Sequence, residues 1–220
     1  KLYAKSSNLK IGKNSMIINN GVPNKNFKRD VKFDFESYFE KHNIKKRKLN
    51  IISICRFVPQ KNIDEIFSLA HELSSFNFII LGDGELFNKF YYLKKKLRLK
   101  NIYLIGMVEN IYPHLYAADL FLSTSLYEGL PISLIEAMSI GLPIIATNVV
   151  GNKDTIEHGK SGYLYKLGDL NNAVQLINKL AMSESLRKEI GKNTYLRQRT
   201  KFSEECMAQN YSYLYQSIIN

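Results

Sequence analysis

The segment around residue 130 carries two carboxylates with seven residues between them. Glu128 precedes Gly129, Leu130 and Pro131, and Glu136 follows within an apolar run. A helix that begins near Pro131 would present unpaired backbone N–H groups and the positive end of its dipole, which suits a phosphate or diphosphate. Glu136, in partly buried surroundings, would need hydrogen-bond donors from ligand hydroxyls or from protein groups. The segment therefore predicts a site for a phosphorylated ligand.

Further candidate residues share one property, because each follows an apolar, strand-like run. They are Arg56, Lys61, Gly82, Met107 and Val108. Arg56 and Lys61 offer positive charge to phosphate oxygens, although each alone is typical of an ordinary surface cation. The turn at Gly82 is not a GxGxxG fingerprint and is a weak signal by itself. Only the combination of these residues with the two carboxylates indicates a binding crevice.

Apolar runs alternate with amphipathic helical stretches from Leu49 onward, which favours βαβ units and a parallel sheet. The predicted strands are Asn50–Cys55, Phe76–Leu81, Asn101–Ile105, Asp119–Ser123, Pro143–Thr147 and Gly162–Tyr165. Their almost continuous apolar character is typical of parallel strands buried on both faces. The predicted fold class is α/β, an open, doubly wound, Rossmann-like parallel sheet. Such sheets bind ligands at the carboxyl ends of their strands, where the candidate residues stand.

The predicted helices follow from capping residues and apolar periodicity. One begins after Asn62, others span 85–97 and 111–117, and a fourth runs from Pro131 to just before Gly141. Pro131 is expected just inside the start of its helix. The last 50 residues are predicted to be helical, with caps near Gly168-Asp169 and Ser183-Glu184.

The net charge of +11 is concentrated at one end of the chain. Residues 1–50 contain 13 Lys and Arg against 4 Asp and Glu, whereas the other 170 residues contain 18 against 16. The cluster from Lys45 to Lys48 suits either a solvated linker or contact with phosphates, acidic lipids or nucleic acid. A second run, Lys94 to Lys96, suits the carboxyl end of a helix and needs no ligand.

The remaining composition excludes several classes of protein. Cys55 and Cys206 are far apart, so neither a disulfide framework nor a zinc site is expected. No Asp-x-Asp triplet is present to hold a metal across a diphosphate, and no metal or other cofactor is expected. No signal peptide and no apolar run long enough to span a bilayer is present, which predicts a cytoplasmic protein. The basic charge of residues 1–50 is compatible with peripheral contact at the inner membrane face.

Two further classes of protein are disfavoured by the motifs. A nucleic-acid-binding domain is suggested by the pI of about 9.5, but the charge is local and no aromatic-basic motif is present. A dehydrogenase would carry a glycine fingerprint after its first strand, and this sequence has none there.

The motifs taken together resemble the retaining glycosyltransferases of family 4, which have the two-domain GT-B fold. The resemblance covers essentially the whole chain. Glu128 and Glu136 match the E-x7-E signature, and Arg56 to Lys61 resembles the G-R-x-x-x-x-K stretch, with Cys55 where glycine is usual. The other matching stretches are the turn Gly82-Asp83-Gly84, Gly106-Met107-Val108, Gly151 to Leu164 with Asp154 where glutamate is usual, and Asn20-Gly21-Val22.

The resemblance implies a role for each matching residue. Arg56 and Lys61 would bind the diphosphate of a nucleotide-sugar donor and stabilise the leaving group, helped by amides around Gly129, Leu130 and Pro131. Glu136 would accept hydrogen bonds from the ribose, and Glu128 would contact the transferred sugar. Gly82 would shape the donor site, and Met107 and Val108 would line the base pocket. The sugar would be transferred with retention, from a donor such as a UDP- or GDP-sugar.

The resemblance also implies a division of the protein. Residues 1–33 are interpreted as a tail from a preceding acceptor-binding domain, and residues 34–220 as the nucleotide-sugar-binding domain with C-terminal helices. The acceptor, a polysaccharide, lipopolysaccharide or capsule intermediate, would bind the absent N-terminal domain, so this chain alone is expected to be inactive. The alternative is a non-catalytic module that binds nucleotide sugars.

Overall fold

A computed structural model describes residues 16–28, 32–45 and 49–219. Among these residues, six strands form one sheet in the order β3-β2-β1-β4-β5-β6. Every neighbouring pair is parallel, and β1 pairs with β2 from Asn50↔Asn77 to Ile54↔Leu81. The strand bounds are β1 Asn50–Ile54, β2 Asn77–Leu81, β3 Ile102–Gly106, β4 Leu120–Ser123, β5 Ile144–Thr147 and β6 Tyr163–Tyr165. The predicted Rossmann-like α/β fold is confirmed.

Helices cover both faces of the sheet, because alternate strand residues point to opposite sides. Their bounds are α1 Phe35–Lys41, α2 Ile63–Glu72, α3 Phe87–Lys96, α4 Tyr112–Ala117, α5 Ile132–Ser139, α6 Asn152–Thr155, α7 Leu170–Met182, α8 Glu184–Lys201 and α9 Glu204–Ile219. Ile51 packs in one core with α2, α3 and α7, whereas Ile52 packs in the other with α1, α4 and α5. The doubly wound arrangement therefore buries both faces of the strands.

Capping residues set several of the helix ends. Asp169 accepts a hydrogen bond from the Asn172 amide at the start of α7, and Ser183 accepts one from Leu186 at the start of α8, as predicted. Asn62 does precede α2, but it has a left-handed conformation with φ of 48° and makes no side-chain cap. Its amide group instead donates to the Glu65 carboxylate at 2.8 Å.

The structure differs from the sequence prediction in two short helices and one boundary. Helices α1 and α6 were not expected, because each has only one or two turns. Pro131 is the N-cap of α5 and has ψ of 89°, so the helix begins at Ile132 and the proline lies just outside it.

The described part of the N-terminal segment, residues 16–28, lies against the C-terminal helices. Val22 is buried and forms a parallel bridge with Ser203. The Val22 amide donates to the Phe202 carbonyl at 2.9 Å, and the Gln198 side chain donates to the Val22 carbonyl at 3.1 Å. The assignment of residues 1–33 to a tail from another domain stays a prediction.

Candidate functional site

A crevice lies where the strand order reverses, at the carboxyl ends of β1 and β4. It has a volume of about 740 Å³ and is bounded by the ends of β1 and β2, the turn after β3, and the start of α5. Nine of the ten predicted site residues line it: Arg56, Lys61, Gly82, Met107, Val108, Glu128, Leu130, Pro131 and Glu136. Gly129 is exposed in the same loop but does not line the crevice.

The Lys61 ammonium and the Glu128 carboxylate meet at the wall of this crevice. The distance from Lys61 Nζ to Glu128 Oε1 is 2.5 Å, and the two side chains are only 18% and 8% exposed. The Ser125 hydroxyl donates to the same carboxylate oxygen at 2.7 Å. Because the pair is largely shielded from water, its electrostatic interaction is stronger than that of a surface ion pair.

Backbone contacts hold the two loops that carry this ion pair. The Leu126 amide donates to the Gln60 carbonyl, and the Gln60 side chain donates to the Tyr127 carbonyl, each at 2.8 Å. Thr124 adds a hydrogen bond from its hydroxyl to the Lys61 carbonyl at 2.8 Å. The loop after β1 and the loop after β4 are therefore joined on both sides of the Lys61–Glu128 pair.

The amino end of α5 faces the crevice. Helix α5 has no side-chain cap, and Ile132 and Ser133, its first two residues, line the crevice beside Pro131. The first backbone N–H groups of a helix have no partner within the helix, and the helix dipole adds positive potential there. The arrangement can hold an anion such as a phosphate.

Glu136 lies one turn further along α5 on the side of the crevice. Its side chain is half-buried, and burial raises the pKa of its carboxyl above the ordinary value of 4.5. Among the described residues, no hydrogen-bond donor reaches its carboxylate. A hydroxyl-bearing ligand in the crevice can supply the donor that the protein does not.

Two glycines after β2 allow the end of that strand to approach the end of β1. A Cβ atom at Gly82 would stand 2.0 Å from the Cys55 carbonyl oxygen, and one at Gly84 would stand 2.8 Å from the Phe57 carbonyl oxygen. Both have positive φ, 122° and 154°. Gly82 thus shapes the crevice through its missing side chain.

The remaining predicted residues occupy the rim and the floor. Arg56 is exposed and makes no ion pair with any described residue, so its guanidinium is available to an anion. Met107 is 80% exposed and Val108 is partly buried, and together they form an apolar rim after β3. Cys55 lies in the floor, where burial raises the pKa of its thiol to about 12. It is therefore an unreactive, neutral group at neutral pH.

Other residues of the crevice were not singled out from the sequence. Asp83, Ile111 and Ser133 are among its further lining residues, and Ser125 lies behind the wall, where it holds Glu128. The position of Ser125 three residues before Glu128, directly after an apolar strand, was the available signal. Within the described ranges no cluster of three or more His, Cys, Asp or Glu side chains is placed to hold a metal ion, and no helix there is long and apolar enough to cross a membrane.

An all-parallel sheet of this strand order, with a crevice at the point of reversal, is the architecture of nucleotide-binding α/β domains. The sequence model of the family described as "Glycosyl transferases group 1" matches residues 34–197. The chain belongs to this family of glycosyltransferases, which confirms the prediction of a glycosyltransferase at the level of the family.

Two relatives of known name are also glycosyltransferases. The chain is 32% identical over 142 residues to the UDP-Gal:alpha-D-GlcNAc-diphosphoundecaprenol alpha-1,3-galactosyltransferase of Escherichia coli, covering 61% of this chain and 37% of that protein. It is 30% identical over 170 residues to the poly(ribitol-phosphate) alpha-N-acetylglucosaminyltransferase of Staphylococcus aureus strain COL, covering 74% of this chain and 34% of that protein. The chain thus spans about a third of the length of these two relatives.

Solved structures share the fold. The chain superposes on a point mutant of S. aureus TarM, solved in complex with Fondaparinux, alpha-GlcNAc-glycerol and UDP, with a TM-score of 0.79 and 27% sequence identity. The match covers 96% of this chain and 41% of that chain.

Proposed function

We propose that this chain supplies the donor site of a retaining glycosyltransferase of family 4, as the C-terminal half of a GT-B protein. The observation that carries the proposal is the gathering of the cations Arg56 and Lys61, the amino end of α5 and the carboxylates of Glu128 and Glu136 around one crevice. A nucleotide sugar presents two phosphates, ribose hydroxyls and a sugar, and this set of groups is complementary to all three parts.

Each residue has a distinct role in the proposed reaction. Lys61 and Arg56 bind the diphosphate and, with the backbone amides at the start of α5, stabilise the negative charge that develops on the leaving phosphate. Glu136 accepts hydrogen bonds from the ribose. The base lies against Met107 and Val108. These contacts require no metal, since cationic side chains and amides provide the positive charge.

Glu128 is proposed to orient the transferred sugar and not to attack it. In the structure one oxygen of its carboxylate, Oε1, is already contacted by the Lys61 ammonium and the Ser125 hydroxyl, which fix its orientation. Transfer with retention then proceeds on one face of the sugar, with the departing phosphate assisting the acceptor.

The donor is proposed to be a UDP-sugar. The E. coli relative is named for UDP-Gal, and the TarM mutant was solved with UDP. The acceptor is proposed to be a polysaccharide, lipopolysaccharide or capsule intermediate, since the relatives named above act on a lipid-linked saccharide and on poly(ribitol-phosphate). The acceptor would bind a preceding N-terminal domain, so we expect this chain alone to bind donor without transferring sugar.

Ligand-linked thermal stability tests the proposal. UDP should raise the Tm of this chain more than GDP or ADP does, because a ligand that binds only the folded state stabilises it.

Lys61→Ala should weaken UDP binding about tenfold, given the usual strength of a hydrogen bond to a charged group. Glu136→Ala should weaken UDP binding while leaving pyrophosphate binding unchanged.

A matched control for Lys61 is Lys89→Ala, which removes an exposed lysine that pairs with Asp64 at 3.3 Å, away from the crevice. Its UDP affinity should equal that of the wild type. Unchanged UDP affinity in both Lys61→Ala and Glu136→Ala would show that the nucleotide binds elsewhere. The alternative, a non-catalytic binding module, predicts UDP binding but no sugar transfer by the full-length protein with its acceptor.

Peripheral contact with the inner face of a membrane is proposed from the charge of residues 1–50, where 13 Lys and Arg stand against 4 Asp and Glu. Part of this stretch, 1–15, 29–31 and 46–48, lies outside the described residues. Sedimentation of the full-length protein with phosphatidylglycerol vesicles at low salt tests the contact, and the protein should remain in solution with phosphatidylcholine vesicles. Absence from the phosphatidylglycerol pellet would remove the proposal.

A further inference from the structure

A buried chain of hydrogen bonds leads from α6 to the Glu128 carboxylate. The Asn152 side-chain amide donates to Thr147 Oγ1 at 3.2 Å and to the Thr147 carbonyl at 3.1 Å. The Thr147 hydroxyl donates to the Ser125 carbonyl at 2.6 Å, and the Ser125 hydroxyl donates to Glu128 Oε1 at 2.7 Å. We refer to Ser125, Thr147 and Asn152 as the relay.

The relay is sealed from water and each member comes from a different element. Ser125 follows β4, Thr147 ends β5 and Asn152 begins α6, and all three are at most 2% exposed. A hydroxyl has one proton to donate, so Thr147, which donates to Ser125, must accept from Asn152. The hydrogen bonds from Asn152 to Thr147 and from Thr147 to the Ser125 carbonyl therefore each have one direction. The Ser125 hydroxyl, which also lies 3.4 Å from the Ser123 hydroxyl, is the donor to Glu128 because an ionised carboxylate only accepts.

Two groups donate to the same oxygen of Glu128. Lys61 Nζ lies 2.5 Å from Glu128 Oε1, the oxygen that also accepts from Ser125. An anion in the crevice would attract the same ammonium, because phosphate and carboxylate are both hydrogen-bonded by lysine. Without a second donor, the carboxylate would lose its support as Lys61 turned to the anion.

We infer that Ser125 is a positioning residue that keeps the Glu128 carboxylate at the sugar when Lys61 turns to the donor diphosphate, and that Thr147 and Asn152 hold Ser125 in place. This inference rests on the proposed donor site. Ser125 acts through Glu128 and touches neither phosphate nor sugar. Its loss should therefore affect binding of the sugar part of the donor and leave binding of the nucleotide part unchanged.

Calorimetry with two ligands separates these effects. For the wild type, UDP is compared with whichever of UDP-glucose, UDP-galactose and UDP-N-acetylglucosamine binds most tightly. Ser125→Ala should weaken UDP-sugar binding about fivefold, the usual worth of one hydrogen bond, and change UDP binding less than about twofold. In a Glu128→Ala background, Ser125→Ala should have no further effect on UDP-sugar affinity, because the carboxylate through which Ser125 acts is gone.

Substitutions within the relay and outside it control for stability. Thr147→Val, which keeps the shape and removes the hydroxyl, should reproduce the Ser125→Ala pattern in part, and Thr147→Ser should restore wild-type affinity. Ser53→Ala is the matched control, since it removes a buried hydroxyl that donates to the Leu122 carbonyl at 2.8 Å and does not reach Glu128. It should lower the Tm without changing either affinity.

The calorimetry tests the donor site and the role of Ser125 separately. If the wild type binds neither UDP nor any of the three UDP-sugars, the donor site itself is wrong. If the wild type binds both ligands and Ser125→Ala weakens them equally, or if the loss persists in the Glu128→Ala background, Ser125 is a structural residue and the inference is overturned.

Discussion

Glu136 combines a cost to stability with a proposed use in binding. Burial raises the pKa of its carboxyl above 4.5 in the folded chain, so its ionised form is less stable there than in the unfolded chain. The cost is absent below pH 4.5, where the group is protonated in both states, and it is complete above the raised folded pKa. Charge at this position therefore destabilises the empty crevice at neutral pH.

Glu136→Gln should accordingly raise the Tm of the ligand-free chain at pH 7 by roughly 2 °C, since it removes a partly buried charge. The gain should vanish when the same two proteins are compared at pH 4. The control is Glu184→Gln, because the hydrogen bond from Lys188 lowers the pKa of Glu184 and its ionised form is favoured. That control should have a Tm at pH 7 equal to or slightly below that of the wild type. A Tm gain in Glu136→Gln that persisted at pH 4 would show that the gain does not come from removal of the charge.

Residue types and spacing led to nine of the residues that line the crevice, but not to the contacts between them. Arg56, Glu128 and Glu136 stand in recognisable motifs that follow apolar strands. The Lys61–Glu128 ion pair joins residues 67 positions apart, and its formation depends on the adjacency of β1 and β4 in the sheet. Sequence spacing carries no information about that adjacency. For the same reason, the hydrogen bonds that connect Asn152 with Glu128 could not be predicted from the sequence.

The close approach of the ends of β1 and β2 requires glycine at position 82, and two alanine substitutions can measure the free energy involved. A Cβ at Gly82 would lie 2.0 Å from the Cys55 carbonyl oxygen at φ of 122°, whereas a Cβ at Gly106 would meet nothing within 4 Å at φ of 84°. Gly82→Ala should lower the free energy of unfolding by about 3 kcal/mol, because it adds a backbone clash to the backbone strain. Gly106→Ala should cost about 1 kcal/mol, from strain alone.

Urea unfolding of the two variants provides the measurement. Because the Gly82 clash displaces the loop that carries Arg56 and Lys61, Gly82→Ala should also weaken UDP binding, and Gly106→Ala should not. Equal unfolding free energies for the two variants would mean that the strand ends separate without cost, and the close approach of β1 to β2 would then not be needed for the fold.

The strands were predictable from sequence because each is a continuous apolar run, and all six were found within two residues of their expected bounds. The short helices α1 and α6 were harder to predict from the sequence. Helix α6 has four residues and follows its N-cap Gly151, whose φ is 85° and whose Cβ would stand 2.7 Å from Glu128 Cβ. Such a helix forms because the loop after β4 packs against it, which is a tertiary cause that local periodicity does not encode.

In the whole molecule, the described N-terminal segment, residues 16–28, contacts the C-terminal helices near the junction of α8 and α9. The Val22 amide and carbonyl are both engaged there, by Phe202 and by Glu204 and Gln198. The Phe27 and Tyr195 rings are 5.0 Å apart, and Arg199 donates to the Lys25 carbonyl at 3.1 Å. These contacts join the first described segment to the C-terminal helices, so the segment contributes to the stability of the sheet domain.

Deletion of residues 1–28 should therefore destabilise the remaining chain. The loss of Val22 from a buried position, together with several hydrogen bonds, predicts a decrease of about 3 kcal/mol in the free energy of unfolding, equivalent to roughly 6–12 °C in Tm. Gly21→Ala should act in the same direction but more weakly, because its Cβ would stand 2.2 Å from the Ser203 carbonyl oxygen and push the segment away. Circular dichroism melts of both variants check this, and a deletion variant with the Tm of the intact chain would show that the contacts of residues 16–28 do not stabilise the domain.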